Sequence, residues 1–417
     1  MQAIESTTGR PGREAPGGQE RAGAASGADA SRLRRFGWTV AGVMAFAYVS
    51  FAMQMLIEVN APGFAGEAVR IDFTAFWAAA KLGLAGTPLA AFDPDTLRAA
   101  LALAPDTPPG DLLWLYPPAW HLAVMPLGLL PFSAAYLVYS AVAWGAFAAA
   151  ARPFAAPLPG GVPLVLAGPA VLIALMLGNM SLLWTAGLLG ALWALAAGRP
   201  VLAGLVIAAL TVKPQLGLMI PVALVAGGHW RAIAWAVAGT AALVALSTAA
   251  LGVEYWAHFF AGLRLMSGLM TTEIMHFDRM MTWYALLRLG GVPHGLALPV
   301  QIGVALAAAA VVGRVWSLAR PSADLKAATL CLAVPLATPY AYHYEMTLAL
   351  AAALFLARDG FGATVRARVW LVALWLGPLL SLVLAGTLPP AVYTAPLVAA
   401  SLGLCAVRAM RAERSGA

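Results

Sequence analysis

From residue 117 to residue 407 the chain alternates between apolar runs and short polar punctuation. Runs lie at 118–131, 133–151, 162–178, 180–197, 200–212, 214–228, 231–251, 294–312, 324–337, 341–357, 369–386 and 390–407. An earlier run, Phe36 to Ile57, is long enough to span the bilayer core. A backbone in lipid must satisfy its own hydrogen bonds, so runs of this kind predict helices. The pattern predicts an all-α polytopic membrane protein.

Charge orders these runs. Ser31-Arg32-Leu33-Arg34-Arg35 precedes the first run, and basic residues recur at Arg199, Arg231, Arg314, Arg320, Lys326, Arg358 to Arg368 and Arg408 to Arg414. Lys and Arg gather at cytoplasmic loop ends, so these places are expected inside, with both termini cytoplasmic. Thirteen runs cannot return the chain to its starting side. The run 118–131 is the one expected not to cross, because it is short and interrupted by Pro126. About twelve crossings remain. Residues 1–31 are rich in Gly, Ala, Ser, Glu and Arg without an apolar period and are expected to form a disordered cytoplasmic tail. That stretch is too long and polar for the start of a cleaved signal peptide. Residues 32–411 form a single membrane domain, and 412–417 a short cytoplasmic tail.

The loops left outside are 58–117, the turns at 178–180 and 212–215, 252–293, 338–343 and 386–390. The first holds Glu58, Glu67, Asp72, Asp93, Asp95, Asp106 and Asp111 against Arg70, Lys81 and Arg98. Within it, Asp72 to Leu84 mixes polar and apolar positions and predicts a helix lying along the membrane surface.

Composition agrees. Of 417 residues, 62% are hydrophobic and 10% charged, against about 25% charged in a soluble domain. This excludes a soluble enzyme, a coiled coil or a disordered chain. The net charge of +7 is topological and does not signal nucleic-acid binding. Cys331 and Cys405 both sit in apolar runs and make neither a disulfide framework nor a metal site.

Candidate chemistry falls in the outer loops. Asp72 lies in Arg70-Ile71-Asp72-Phe73-Thr74-Ala75-Phe76-Trp77, where aromatic surroundings at the bilayer edge raise the cost of ionisation. Such an acid can act as a general base, and the same position suits a helix N-cap. Asp93 and Asp278 are competing carboxylates. Lys213-Pro214-Gln215 places an ionisable group between two apolar runs, where it either faces a phosphate or snorkels to headgroups. Gly178-Asn179-Met180-Ser181 reads as a tight polar turn with hydrogen-bonding capacity for a sugar. Thr338-Pro339-Tyr340-Ala341-Tyr342-His343-Tyr344-Glu345 is the densest polar cluster. His343 can bind a phosphate or move a proton. His343 and Glu345, two apart, do not share a helical face, and no spacing suggests a metal. Loop 252–293 carries Trp256, His258, Arg264, Glu273, His276, Asp278, Arg279, Trp283 and Tyr284, an interfacial belt that can also line an acceptor site.

Asp72-Phe73-Thr74-Ala75-Phe76-Trp77-Ala78-Ala79-Ala80, with Gly86-Thr87-Pro88-Leu89 and Phe92-Asp93, resembles the opening loop of glycosyltransferase family 87. So do Tyr116-Pro117-Pro118, Met125-Pro126-Leu127, Leu130-Pro131-Phe132, Lys213-Pro214-Gln215 with Trp230-Arg231-Ala232, and the late cluster at 338–345. Gly178-Asn179 stands where the family often has Gly-Gln. The resemblance spans roughly residues 70–360. It implies a GT-C fold in a bacterial inner membrane, with a periplasmic active site formed around 58–117 and 252–293. It also implies a hexosyltransferase that inverts the anomeric centre, needs no metal or cofactor, and takes a polyprenyl-phosphate sugar, mannose above all, as donor. The acceptor is a glycolipid or glycan. Asp72 maps to the catalytic base.

On this reading the donor phosphate rests near Lys213, His343 and Tyr342. Asn179, Gln215, Trp77, Asp278 and Arg279 hold the sugar or acceptor. The rival reading is a polytopic transporter or a flippase for lipid-linked sugars, which also needs intramembrane charge and broken helices.

Overall fold

The structure, a computed structural model, describes residues 17–60, 71–101, 113–272, 275–384 and 387–415. Residues 1–16 of the expected tail, Glu67, Arg70, Asp106, Asp111 and Glu273 lie outside the described residues, as do the side chains of Glu58 and Arg98. Every described regular element is a helix, and an isolated antiparallel bridge joins Met280 to Tyr342.

The chain opens with α1 (Gly17–Asn60), which takes in residues 17–31 of the expected tail. The first loop carries α2 (Phe73–Leu84), α3 (Pro94–Leu101) and α4 (Pro118–Val124). A long α5 (Phe132–Ala155) is followed by α6 (Gly161–Leu166), α7 (Pro169–Leu177), α8 (Ser181–Ala196), α9 (Pro200–Leu210) and α10 (Met219–Ala226). Then come α11 (Trp230–Leu251), α12 (Glu254–Leu269), α13 (Trp283–Leu289) and α14 (His294–Ser317). The chain closes with α15 (Ala323–Leu336), α16 (Thr347–Arg358), α17 (Val365–Val383) and α18 (Ala391–Arg414). Local chemistry sets many boundaries. Pro opens α3, α4, α7 and α9, where its missing N–H costs nothing. Gly178 ends α7 in the left-handed conformation.

Six helices among the described residues are long and apolar enough to cross a membrane: Asp29–Ile57 within α1, then α5, α11, α14, α17 and α18. The protein is multi-pass. Phe46, Trp38, Val237, Leu246, Leu306 and Val383 are exposed on these helices, a surface suited to lipid rather than water. Several sequence runs break into shorter helices. Run 162–178 divides at Gly168-Pro169 into α6 and α7, and 214–228 divides into a 3-10 turn, Pro214–Leu216, and α10. Run 118–131 is α4 followed by a 3-10 turn, Met125–Leu129, containing Pro126.

Small residues let helices meet closely. A Cβ on Gly204 of α9 would sit 2.5 Å from the Ala232 carbonyl oxygen of α11, and one on Gly239 would sit 2.8 Å from Ala208 Cβ. At the core, α15 and α16 pack side by side, with Ala349 to Phe355 all buried. The basic punctuation forms ion pairs at the helix ends. Arg358 Nε lies 2.9 Å from Asp324 Oδ1, and Arg408 Nη2 lies 2.5 Å from Asp359 Oδ2.

Helix α2 forms where a helix was expected, and it is packed inside the protein. Phe73, Thr74, Ala75, Phe76, Ala78, Ala79, Ala80 and Gly83 are all buried. The small residues that look like a weakly amphipathic pattern are close-packing positions: a Cβ on Gly128 would lie 2.9 Å from the Ala80 carbonyl carbon. Lys81, the one charged residue of α2, is exposed and lies over the Trp77 ring at 5.1 Å.

Candidate active site

Asp72 stands at the N-cap position of α2, and its backbone carbonyl accepts the Ala75 N–H at 3.2 Å. Its side chain makes no capping hydrogen bond. The half-buried carboxylate turns instead to another element: Asn179 Nδ2 donates to Asp72 Oδ2. Burial pushes the Asp72 carboxyl above the ordinary carboxylate range, opposed by the Asn179 hydrogen bond and then by the charge of Lys213. Phe73 behind it is fully buried among Phe132, Tyr136 and Tyr139.

Asn179 is 1% exposed and follows Gly178, the left-handed residue that caps α7. Ser181 opens α8. Its backbone N–H donates to Asn179 Oδ1 at 2.8 Å, and its hydroxyl lies 2.6 Å from the same oxygen. The oxygen of the amide is therefore occupied, and its nitrogen faces Asp72. The Ser181 hydroxyl also lies 3.1 Å from Glu345 Oε1.

Glu345 is 2% exposed in the 3-10 turn His343–Met346. It pairs with Lys213, itself 5% exposed. Its second oxygen accepts the Tyr342 N–H at 2.7 Å. Lys213 also lies 5.2 Å from the Tyr344 ring centre. An unbroken chain of contacts thus runs Asp72–Asn179–Ser181–Glu345–Lys213.

The second loop is sewn to the late cluster by backbone. Met281 N–H donates to Ala341 O at 2.9 Å, and Thr282 Oγ1 donates to Pro339 O at 3.1 Å. His343 Nδ1 lies 3.0 Å from Arg279 O. A carbonyl only accepts, so Nδ1 carries the proton and Nε2 is left open. Burial pulls the His343 imidazolium down from its ordinary range, which favours a neutral ring. Arg279 and Asp278 are exposed, and Asp278 lies 3.6 Å from His276 Nδ1.

Asp72, Asn179, Lys213 and His343 are brought together, with Tyr342 beside them on Tyr344 at 5.4 Å between ring centres. Trp77 is engaged elsewhere: its indole N–H donates to Leu130 O at 3.0 Å, and its ring packs on Phe132. Gln215 is half-buried in the turn after Lys213 and takes no part in the chain of contacts. Asp93 Oδ1 accepts the Asp95 and Thr96 N–H groups at 2.8 and 3.1 Å, so this carboxylate is a helix cap. Glu345 and Ser181 are central to the site and were absent from the residues assigned from sequence. A carboxylate ending a polar cluster amid apolar runs was the available signal for Glu345.

The glycosyltransferase family 87 model matches residues 114–339, more than half of the chain. Among curated proteins and among solved structures, none matches the chain.

Proposed function

The chain belongs to glycosyltransferase family 87 and is a membrane glycosyltransferase, and we propose that it moves a hexose, mannose above all, from a polyprenyl-phosphate donor to a glycolipid or glycan acceptor. The proposal includes a GT-C fold of about twelve crossings, a bacterial inner-membrane location, cytoplasmic termini and a periplasmic site.

One observation carries the reading: Asp72 is a half-buried carboxylate that leaves its capping duty undone and lies against Asn179, in the electrostatic reach of Lys213 and His343. Oδ2 is held by Asn179 and the Tyr344 side chain also hydrogen-bonds the carboxylate; Oδ1 is assigned as the oxygen that takes the acceptor proton. As that proton leaves, the acceptor oxygen attacks the anomeric carbon from the face opposite the phosphate. The bond from that carbon to the phosphate oxygen breaks, and its electron pair leaves with polyprenyl phosphate. Configuration inverts. Lys213, while paired with Glu345, supplies the nearby positive charge that stabilises the departing phosphate, and His343 Nε2 and Tyr342 are assigned beside it. Arg279 and Asp278, exposed on the loop bonded to His343, are assigned to the acceptor.

A place for the lipid tail supports this donor class. An apolar groove of about 750 Å³ lies between α1 and α5–α7, lined by Ala41, Gly42, Tyr48, Ser140, Leu172 and Leu175 among others. Leu175 is one helical turn from Asn179, and its carbonyl accepts from Tyr136 at 2.7 Å. Tyr136 in turn packs on Phe73 at 5.6 Å. The groove therefore ends behind the residues that carry Asp72.

The test is sugar transfer from synthetic polyprenyl-phosphate mannose to membrane glycolipids by purified wild type and Asp72→Asn. General-base help contributes about 10²–10⁴-fold, so the variant is expected to lose at least a hundredfold with its fold intact. Equal transfer by both proteins removes Asp72 as the base. Transfer by neither protein, across hexose donors, overturns the donor assignment.

A further inference from the structure

The amide of Asn179 has one geometry available to it. Its oxygen accepts from the Ser181 backbone N–H and lies 2.6 Å from the Ser181 hydroxyl. Flipping the amide would set its NH2 group against the Ser181 N–H, two donors facing each other, at a site 1% exposed where water cannot repair the loss. The NH2 group is thereby committed to Asp72. Ser181 has a single hydroxyl proton and two acceptors within reach, Asn179 Oδ1 at 2.6 Å and Glu345 Oε1 at 3.1 Å. Lys213 already donates to Glu345 Oε1, so the proton serves the nearer oxygen on Asn179.

Asn179 was expected from the sequence to touch the sugar. We propose that it is instead a positioning residue, holding Asp72 Oδ2 so that Oδ1 faces the acceptor, with its amide fixed by Ser181 and Ser181 in turn released to that duty by the Lys213–Glu345 pair. This rests on the reading of Asp72 as the base. A buried amide with its oxygen doubly engaged and its nitrogen on a carboxylate has little left to offer a hydroxyl of the sugar. It stabilises the ionised form of Asp72 and fixes the orientation of that carboxylate.

The charged groups around Asp72 are Lys213 and His343, with Glu345 beyond Ser181. The Tyr344 side chain also hydrogen-bonds Asp72, and tyrosine hydroxyls face it from Tyr116, Tyr139, Tyr340 and Tyr342. Asn179→Ala leaves all of these in place. A hydrogen bond to a charged group is worth about one to two pK units, so the acid-side limb of kcat should move up by about that much in Asn179→Ala. The KM for acceptor should stay within about twofold, because the proposal removes no acceptor contact.

The same shift is read without catalysis by infrared titration of the protonated carboxyl band of Asp72, assigned by its loss in Asp72→Asn. A band midpoint raised in Asn179→Ala supports the proposal. An unmoved midpoint with a raised acceptor KM overturns it and returns Asn179 to sugar binding. If Asn179→Ala does not fold, Ser181→Ala is the reporter. It keeps the backbone donor to Oδ1 and loses only the hydroxyl, so a smaller upward shift is expected and an unmoved midpoint overturns the proposal. Wild type that transfers no sugar counts against the donor reading alone, since the infrared midpoint still tests the role of Asn179.

Discussion

Lys213 and Glu345, 132 residues apart, form an ion pair with side-chain exposures of 6% and 2%. Removing one member of a buried pair strands the other charge and costs about 3–5 kcal/mol, whereas replacing both is often close to neutral. Glu345→Gln keeps an oxygen for the Tyr342 N–H and strands Lys213. It should lower the unfolding temperature in detergent markedly, and Lys213→Met combined with Glu345→Gln should recover most of that loss while staying inactive. A double variant no more stable than Glu345→Gln alone would show that the pair is not what the single change disrupts.

The Asp72 carboxyl is raised by burial. A base works only when deprotonated, so kcat/KM should fall as pH drops through a midpoint above the ordinary carboxylate value. His343, pulled down by its burial, protonates only below the ordinary imidazole range and adds no loss at neutral pH. The check is a pH–rate profile of wild type beside His343→Gln. If the limb disappears in His343→Gln, the titrating group is the imidazole and not Asp72.

The loops at Asp72, Gly178–Ser181, Lys213 and 338–345 were legible as partners because the basic punctuation assigns them one side. Their contacts were not. Glu345 was set apart from His343 by face spacing, and in the 3-10 turn entered from an extended Tyr342 the two do go to different partners, Glu345 to Lys213 and His343 to the Arg279 carbonyl. The partners of Glu345, Ser181 and Lys213, lie 164 and 132 residues away. Trp77 was assigned to the sugar or acceptor, and its partners Leu130, through the indole N–H, and Phe132, at the ring, lie far along the chain and were not legible. The helical class was legible from run lengths. The partition of those runs was less so, since Pro169 divides run 162–178 into two helices where hydropathy alone reads one span.

Gly178 should tolerate no side chain. Its φ is +60°, and a Cβ there would lie 2.4 Å from Phe73 Cβ. A non-glycine residue in this conformation costs about 1–2 kcal/mol before any clash. Phe73 is the residue after Asp72, so relief of the clash moves the base. Gly178→Ala should therefore lose activity out of proportion to its stability. Measured together, sugar transfer within twofold of wild type would mean that the α7–α2 contact does not set the position of Asp72.

The groove between α1 and α5–α7 gives a prediction that distinguishes tail binding from chemistry. Gly42 lines it, and no atom lies within 4 Å of a Cβ built there. Gly42→Trp should thus fill the groove without disturbing the backbone, because the indole enters open space. If the groove seats a polyprenyl chain, the variant should raise KM for a long-chain donor by about tenfold or more, equivalent to the burial of two methylene groups or so at about 0.8 kcal/mol each. The kcat should change little, and a donor with a chain too short to reach the groove should be used equally by variant and wild type. Equal KM values for the long donor in the two proteins would place the tail elsewhere on the helix bundle. The comparison is decisive because Gly42 lies on α1, away from Asp72, Lys213 and His343, so that any loss confined to long donors reports the tail alone.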